Sequence, residues 1–159
     1  MSYDFLIEHA DGEPFGRAEV EAAIARFPQL RRHDAESYRS AATELVLSAE
    51  RQGGPVDNLT LQIRYSELPG AFDGACDIAL GLASSLGGRA VDSQLGETVT
   101  AQNRDTAKAN AVRVGQWTKR LGTEFEAPPK PYVDGNDSAQ RAAAPAGGGR
   151  PWWKFWGSD

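Results

Sequence analysis

Two histidines, one cysteine and a scatter of carboxylates are the residues of this chain with chemistry to offer. His9 closes an alternating N-terminal segment, and His33 stands in a polar stretch. Neither has a second ligand at metal-binding spacing, such as the i, i+4 pair of a helix, so both read as solvent-exposed. Triads assemble in space rather than in sequence, which keeps His9 with Asp4 and Glu8 as an enzyme hypothesis. No serine, however, carries a GxSxG elbow. Asp4, Glu8 and Glu44 fall on one sheet face by alternation, where acid–base work would need burial to raise one pKa. The polar pattern around them predicts solvated charges instead. Gly53–Gly54 and Gly87–Gly88 lack a phosphate-loop context and read as turns and caps. The single Cys76 forbids an intramolecular disulfide or a cysteine metal cluster, and in CDIALGLA it reads as a small buried hydrophobe. The expectation is no catalytic residue, no metal and no cofactor.

A second cluster is aromatic. The chain ends RPWWKFWGSD, with three of its four tryptophans at positions 152–156, directly after a GGG run. Four readings compete: a tail folded onto its own core, an inert terminus, a lipid-interface segment, and a linear motif held in a partner's apolar groove. Burying a large apolar side chain is worth roughly 1.5–3 kcal/mol, so four aromatics offer about 6–12 kcal/mol gross. Ordering the segment takes back several, leaving a contact of roughly micromolar to millimolar strength. Only two cations, Arg150 and Lys154, accompany the rings, and Asp159 opposes them, which disfavours a lone membrane anchor. A self-docked or swapped tail needs no such long lead. The favoured reading is partner docking through Trp152, Trp153, Lys154, Phe155 and Trp156.

These residues must be positioned by a small body. SYDFLIEH alternates Tyr3, Phe5 and Ile7 against Asp4, Leu6 and Glu8, which predicts a strand. In RAEVEAAIARFP, Val20, Ile24 and Phe27 share a helical face, and Pro28 closes the helix. RRHDAESYRSA reads as a loop with at most a short strand. TELVLSAE and LTLQIRY are strands joined by the Gly- and Pro-rich turn ERQGGPVDN; Leu59, Leu61, Ile63 and Tyr65 take one face. AFDGACDIALGLASSLGG is a helix capped by Gly87–Gly88, with small residues Ala75, Ala79, Gly81 and Ala83 allowing close approach to a sheet. RAVDS is a short strand and QLGET a turn. A third helix runs from about Asn103, its N-cap, to Leu121, with the stripe Ala107, Ala111, Val114, Trp117 or Thr118, and Leu121.

The order β-α-β-β-α-β matches a ferredoxin-like split βαβ of the α+β class, with both helices on one face of a four-stranded antiparallel sheet, plus an added helix and a tail. The boundaries are a domain over 1–121, a flexible linker rich in Pro, Gly and Ala over 122–149, and the aromatic motif over 150–159. The opposite sheet face would carry Leu6 and Val46 as apolar spots among Glu44, Gln62 and Arg64, a second surface for a partner or for the third helix. No internal repeat is visible.

The chain has 159 residues, 40% hydrophobic and 25% charged, with a formal net charge of −5. That balance argues against nucleic acid, which needs clustered cations. MSYDFLIEHA lacks a signal-peptide core, and no apolar run approaches the roughly 20 residues of a bilayer span, so the expected location is cytoplasmic. The opening MSYDF, the helix ending RFP, and AVDSQLG after an ASSLGG helix end resemble a loose group of small bacterial proteins, some similar to the immunity partners of toxin systems. The resemblance covers roughly residues 1–100, and Ala90 and Ser93 depart from the VYDPQ-like strand of that group. It implies a bacterial cytoplasmic binding protein whose partner is a toxin or secretion component, and it transfers no catalytic residue. The combined reading is a non-enzymatic interaction module, an immunity-type inhibitor or adaptor. The alternative is a small-molecule-binding regulatory domain that forms homo-oligomers through its sheet face.

Overall fold

The computed structural model describes residues 2–120; the expected linker 122–149 and the motif 150–159 lie outside the described residues. Among the described residues, eleven regular elements include β1 (Ser2–Glu8), α1 (Arg17–Ile24), β2 (Arg31–Arg32), β3 (Ser37–Arg39), β4 (Thr43–Ser48) and β5 (Asn58–Arg64). A 3-10 turn over Tyr65–Glu67 leads into α2 (Phe72–Leu86), β6 (Arg89–Asp92), β7 (Glu97–Val99) and α3 (Arg104–Arg120). The α+β class holds. The sheet has seven strands rather than four, in the order β2-β3-β4-β5-β1-β6-β7, with every pairing antiparallel.

Alternation does most of the work. Tyr3, Phe5 and Ile7, Leu45 and Leu47, and Leu59, Leu61 and Ile63 are all buried, while their neighbours along each strand stay partly exposed. Phe5 meets Tyr3 and Phe72 edge-on, and Tyr3 lies tilted against Phe72, with ring centroids 5.4–5.8 Å apart. Each fully buried ring or branched aliphatic contributes roughly 1.5–3 kcal/mol, so this face is where folding is decided.

One helix end differs from expectation and one agrees with it, each for a physical reason. α1 ends at Ile24, and its last amides turn inward as Arg26 N to Ala23 O (3.2 Å) and Phe27 N to Ile24 O (2.9 Å). The residue before a proline is pushed out of the α region, so Pro28 terminates the helix one turn upstream. At the end of α2, Gly87 takes φ 65°, and Gly88 N donates to Ala83 O at 2.9 Å, the cap expected for a glycine pair. Gly88 also allows contact with β1, because a Cβ there would lie 2.7 Å from the Glu8 carbonyl. Gly81 serves α1 rather than the sheet: a Cβ on it would meet Phe27 Cζ at 2.6 Å.

α3 lies beside α2. Arg104 bridges Asp73 (3.3 Å) and Asp77 (2.6 Å), and Lys108 reaches Asp73. Such exposed pairs are individually weak and serve mainly to orient the helix. Its buried face is Ala107, Asn110, Ala111 and Gly115, whereas the expected Val114 and Trp117 are only half-buried. Asn103 accepts the first helical hydrogen bond through its carbonyl, from Ala107 N at 3.0 Å. Its side chain turns back, accepting from Thr100 N (2.7 Å) and donating to Thr98 O (2.9 Å). Among the described residues, no helix is long and apolar enough to cross a membrane.

Candidate functional site

The face of the sheet away from α1 and α2 collects the predicted second surface. Cross-strand register arranges it in rows. One row is Arg31, Arg39, Glu44, Gln62 and Asp4. The next is Val46, Thr60, Leu6, Val91 and Thr98, three aliphatic residues with two threonines across five strands. Beyond it lie the pairs Ser48–Asn58 and Glu8–Arg89. Leu6 and Val46, expected as isolated spots, are therefore part of one stripe, and both are half-exposed.

At one end of this face, beside the Ser40–Thr43 turn, a groove of about 520 Å³ opens between Arg39, Glu44, Gln62, Arg64 and Tyr65. Three of the five predicted surface residues, Glu44, Gln62 and Arg64, line it; Leu6 and Val46 lie in the adjoining row. Arg39 Nη2 holds Glu44 Oε1 at 2.9 Å. Arg64 is exposed and joins no salt bridge among the described residues. Asp4 is half-buried: its Oδ1 has no hydrogen-bond partner, and burial raises its pKa against the lowering effect of the Ser2 hydroxyl.

The enzyme hypothesis built on Asp4, Glu8 and His9 gains no geometry. Asp4 and Glu8 are four residues apart along β1, about 13 Å, and Glu44 is two strands from Asp4, about 10 Å. Glu8 is held by Arg89 Nη2 at 2.7 Å. His9 is half-buried with its ring centroid 4.2 Å from that of Phe15, contrary to the expectation of exposure, because the strand end packs on the loop before α1. His33 is exposed as expected. Cys76 is fully buried, and burial pushes its thiol pKa up.

One polar pair escaped the sequence reading. On the core face the Tyr3 hydroxyl donates to Asp92 Oδ2, with Tyr3 0% and Asp92 1% exposed. Asp92 Oδ1 accepts from Gln94 N (2.9 Å) and Leu95 N (3.2 Å), closing the turn into β7. Burial pushes both groups' pKa values up, that of Tyr3 further still through the Asp92 charge. Tyr65 is pushed up to about 12, by burial first and then by Asp4 and Asp92. The only hint in the sequence is that Asp92, two residues after Ala90, falls on the inward parity of its strand. The motif residues Trp152, Trp153, Lys154, Phe155 and Trp156 lie outside the described residues. No protein-family model matches the chain, and no curated protein matches it either.

Proposed function

We propose that this chain is a non-enzymatic protein–protein interaction module that docks a partner on its open sheet face and makes a second contact through PWWKFW. The observation that carries the reading is the apolar row Val46–Thr60–Leu6–Val91 flanked by polar rows, the arrangement of an interface core within a polar rim. Five strands at about 4.8 Å and six or seven residues at about 3.4 Å give a footprint of roughly 500 Å². That is short of the roughly 800 Å² per partner of a standard interface. Aromatic residues bury roughly 150–250 Å² each, so the tail closes the gap. A two-part contact follows from these magnitudes.

The same reading takes the fold as a ferredoxin-like split βαβ. Its support is the central order β4-β5-β1-β6, with β2 and β3 added at one edge and β7 with α3 at the other. An immunity-type inhibitor or adaptor in the cytoplasm, facing a toxin or secretion component, fits a small acidic binder; a formal charge of −5 fits nucleic acid poorly. Quantitative pull-downs with the full chain, L6K/V46K and W152A/F155A/W156A test the reading. Both variants should deplete the same partner, and unchanged partner lists from both would end it.

The groove beside Arg64 favours a second reading, a regulatory domain that binds a small anionic ligand and oligomerises through the sheet face. Thermal-shift screening against carboxylates and phosphates, with mass measurement in solution, separates the two. A ligand-dependent shift abolished by Arg64→Ala supports the second.

A further inference from the structure

We infer that, when no partner is bound, the apolar row of the open face is occupied in cis by the chain's own aromatic segment, residues 151–156. The inference rests on reading face and tail as interaction surfaces, and it names an occupant for the face in the free protein.

The seat comes first. Val46, Thr60, Leu6 and Val91 sit side by side on four adjacent strands, each half-exposed. The buried strand residues and α2 belong to the other face, and α3 is bound to α2 through Asp73 and Asp77. α2 and α3 therefore leave these four residues partly exposed.

The chain also leaves the described body next to this face. A Cβ on Gly115 would lie 3.3 Å from Tyr65 Cδ1 and 3.7 Å from Leu68 Cδ1, so α3 passes directly over the 3-10 turn. Tyr65 is itself a wall of the groove that adjoins the apolar row. From Gly115 to the last described residue, Arg120, the helix advances only about 8 Å. Positions 122–149 then supply a lead rich in Pro, Gly and Ala. If it behaved as a flexible chain, a segment of that length would span about 30 Å, and the five strands of the row extend across about 24 Å. Tethered concentration is greatest when the lead matches the span, and it reaches the millimolar range. A contact of micromolar to millimolar strength is then made for about half of the time or more.

Chemistry agrees with reach. In a helical turn the spacing of Trp152, Phe155 and Trp156 would set them on one side, an apolar ridge facing Val46, Leu6 and Val91. Glu8 and Glu44 are already held by Arg89 and Arg39. Asp4 joins no salt bridge among the described residues, but its Oδ1 is buried, so the rings rather than Arg150 or Lys154 carry the contact. Partner binding to the face must displace this segment, which makes the tail a built-in competitor as well as a second contact.

The test uses the full chain carrying Ser158→Cys with a nitroxide label; Cys76 is fully buried and stays unlabelled in the folded protein. Amide signals of Leu6, Val46, Thr60 and Val91 should broaden several-fold more than those of the exposed helical residues Ala18, Ala22 and Ser84. The difference should persist on 20-fold dilution and vanish in W152A/F155A/W156A, whose substitutions lie outside the described residues. Equal broadening on both faces, or a difference that survives the substitutions, overturns the inference. Open-face broadening that fades on dilution overturns it too, because it puts the segment on a second copy. No partner is present, so failure removes self-docking alone and leaves partner binding to the pull-down.

Discussion

Replacing Tyr3 by Phe is the sharpest perturbation of the core, because it deletes one oxygen and leaves a buried carboxylate oxygen without its donor. Tyr3 is 0% and Asp92 1% exposed, so water cannot replace the lost hydrogen bond. Leaving a buried acceptor unsatisfied costs about 1–3 kcal/mol, more when it is charged, which puts Tyr3→Phe at about 2–3 kcal/mol at neutral pH. For a body of this size that is a fall of roughly 8–12 °C in Tm. The cost must also depend on pH. Burial raises the folded pKa of Asp92, so the stability it contributes is fully present below its unfolded value and is lost as pH rises through the folded one. The Tyr3 hydroxyl counteracts that rise by bonding the charged form. Removing it lifts the folded value further and widens the window of loss. Urea titrations at several pH values between 3.5 and 8 should show a penalty that grows with pH and then levels. Combining Tyr3→Phe with Asp92→Asn should recover at least about 1 kcal/mol of coupling. A penalty below about 0.5 kcal/mol at pH 7, or one independent of pH, would refute the reasoning.

Other expectations follow from local geometry. Gly88→Ala sets a Cβ 2.7 Å from the Glu8 carbonyl and 3.0 Å from Phe15 Cζ, and should cost about 1–3 kcal/mol in urea titration. Gly74→Ala, in the exposed part of α2 with nothing within 4 Å, should instead stabilise by about 0.5–1 kcal/mol. The Asp73 pKa is lowered, chiefly by the Lys108 hydrogen bond, so its contribution is present above the ordinary carboxylate range and lost as pH falls through the lowered value. Hydrogen exchange, corrected for intrinsic rates, should therefore show α3 opening more readily than β1 or β5 near pH 3. Cys76 should resist a thiol reagent at pH 8 in the folded protein and react at once in urea, since burial disfavours the thiolate.

The long strands were legible because burial on one side writes a period of two. Phe5 and Leu61, or Leu45 and Leu61, sit opposite each other as alternation requires. The strands that sequence reading missed or left open, RR, SYR and ETV, are two or three residues long and lie toward the two edges of the sheet. Too short to show a period, they are specified by pairing: β3 with β4, β2 with β3, and β7 with β6. The buried face of α3 is read only in part: Ala107 and Ala111 are buried as the stripe requires, but Asn110 and Gly115 join them in place of Val114 and Trp117, and a glycine or an asparagine carries little hydrophobic signal. Of the candidate site, alternation placed Leu6, Glu44, Val46, Gln62 and Arg64 on one face. It could not show that Thr60 and Val91 join Leu6 and Val46 into a row, since that depends on cross-strand register. Asp92 was hidden because an aspartate at a strand end ordinarily faces water.

A photo-crosslinking amino acid placed at Val46, compared in the native host with one at the exposed Ala22 of α1, tests the open face most directly. The account predicts a discrete adduct with one protein from position 46, absent from position 22 and weakened by W152A/F155A/W156A. The same adducts from both positions, or none from position 46 in a protein of unchanged stability, would contradict it.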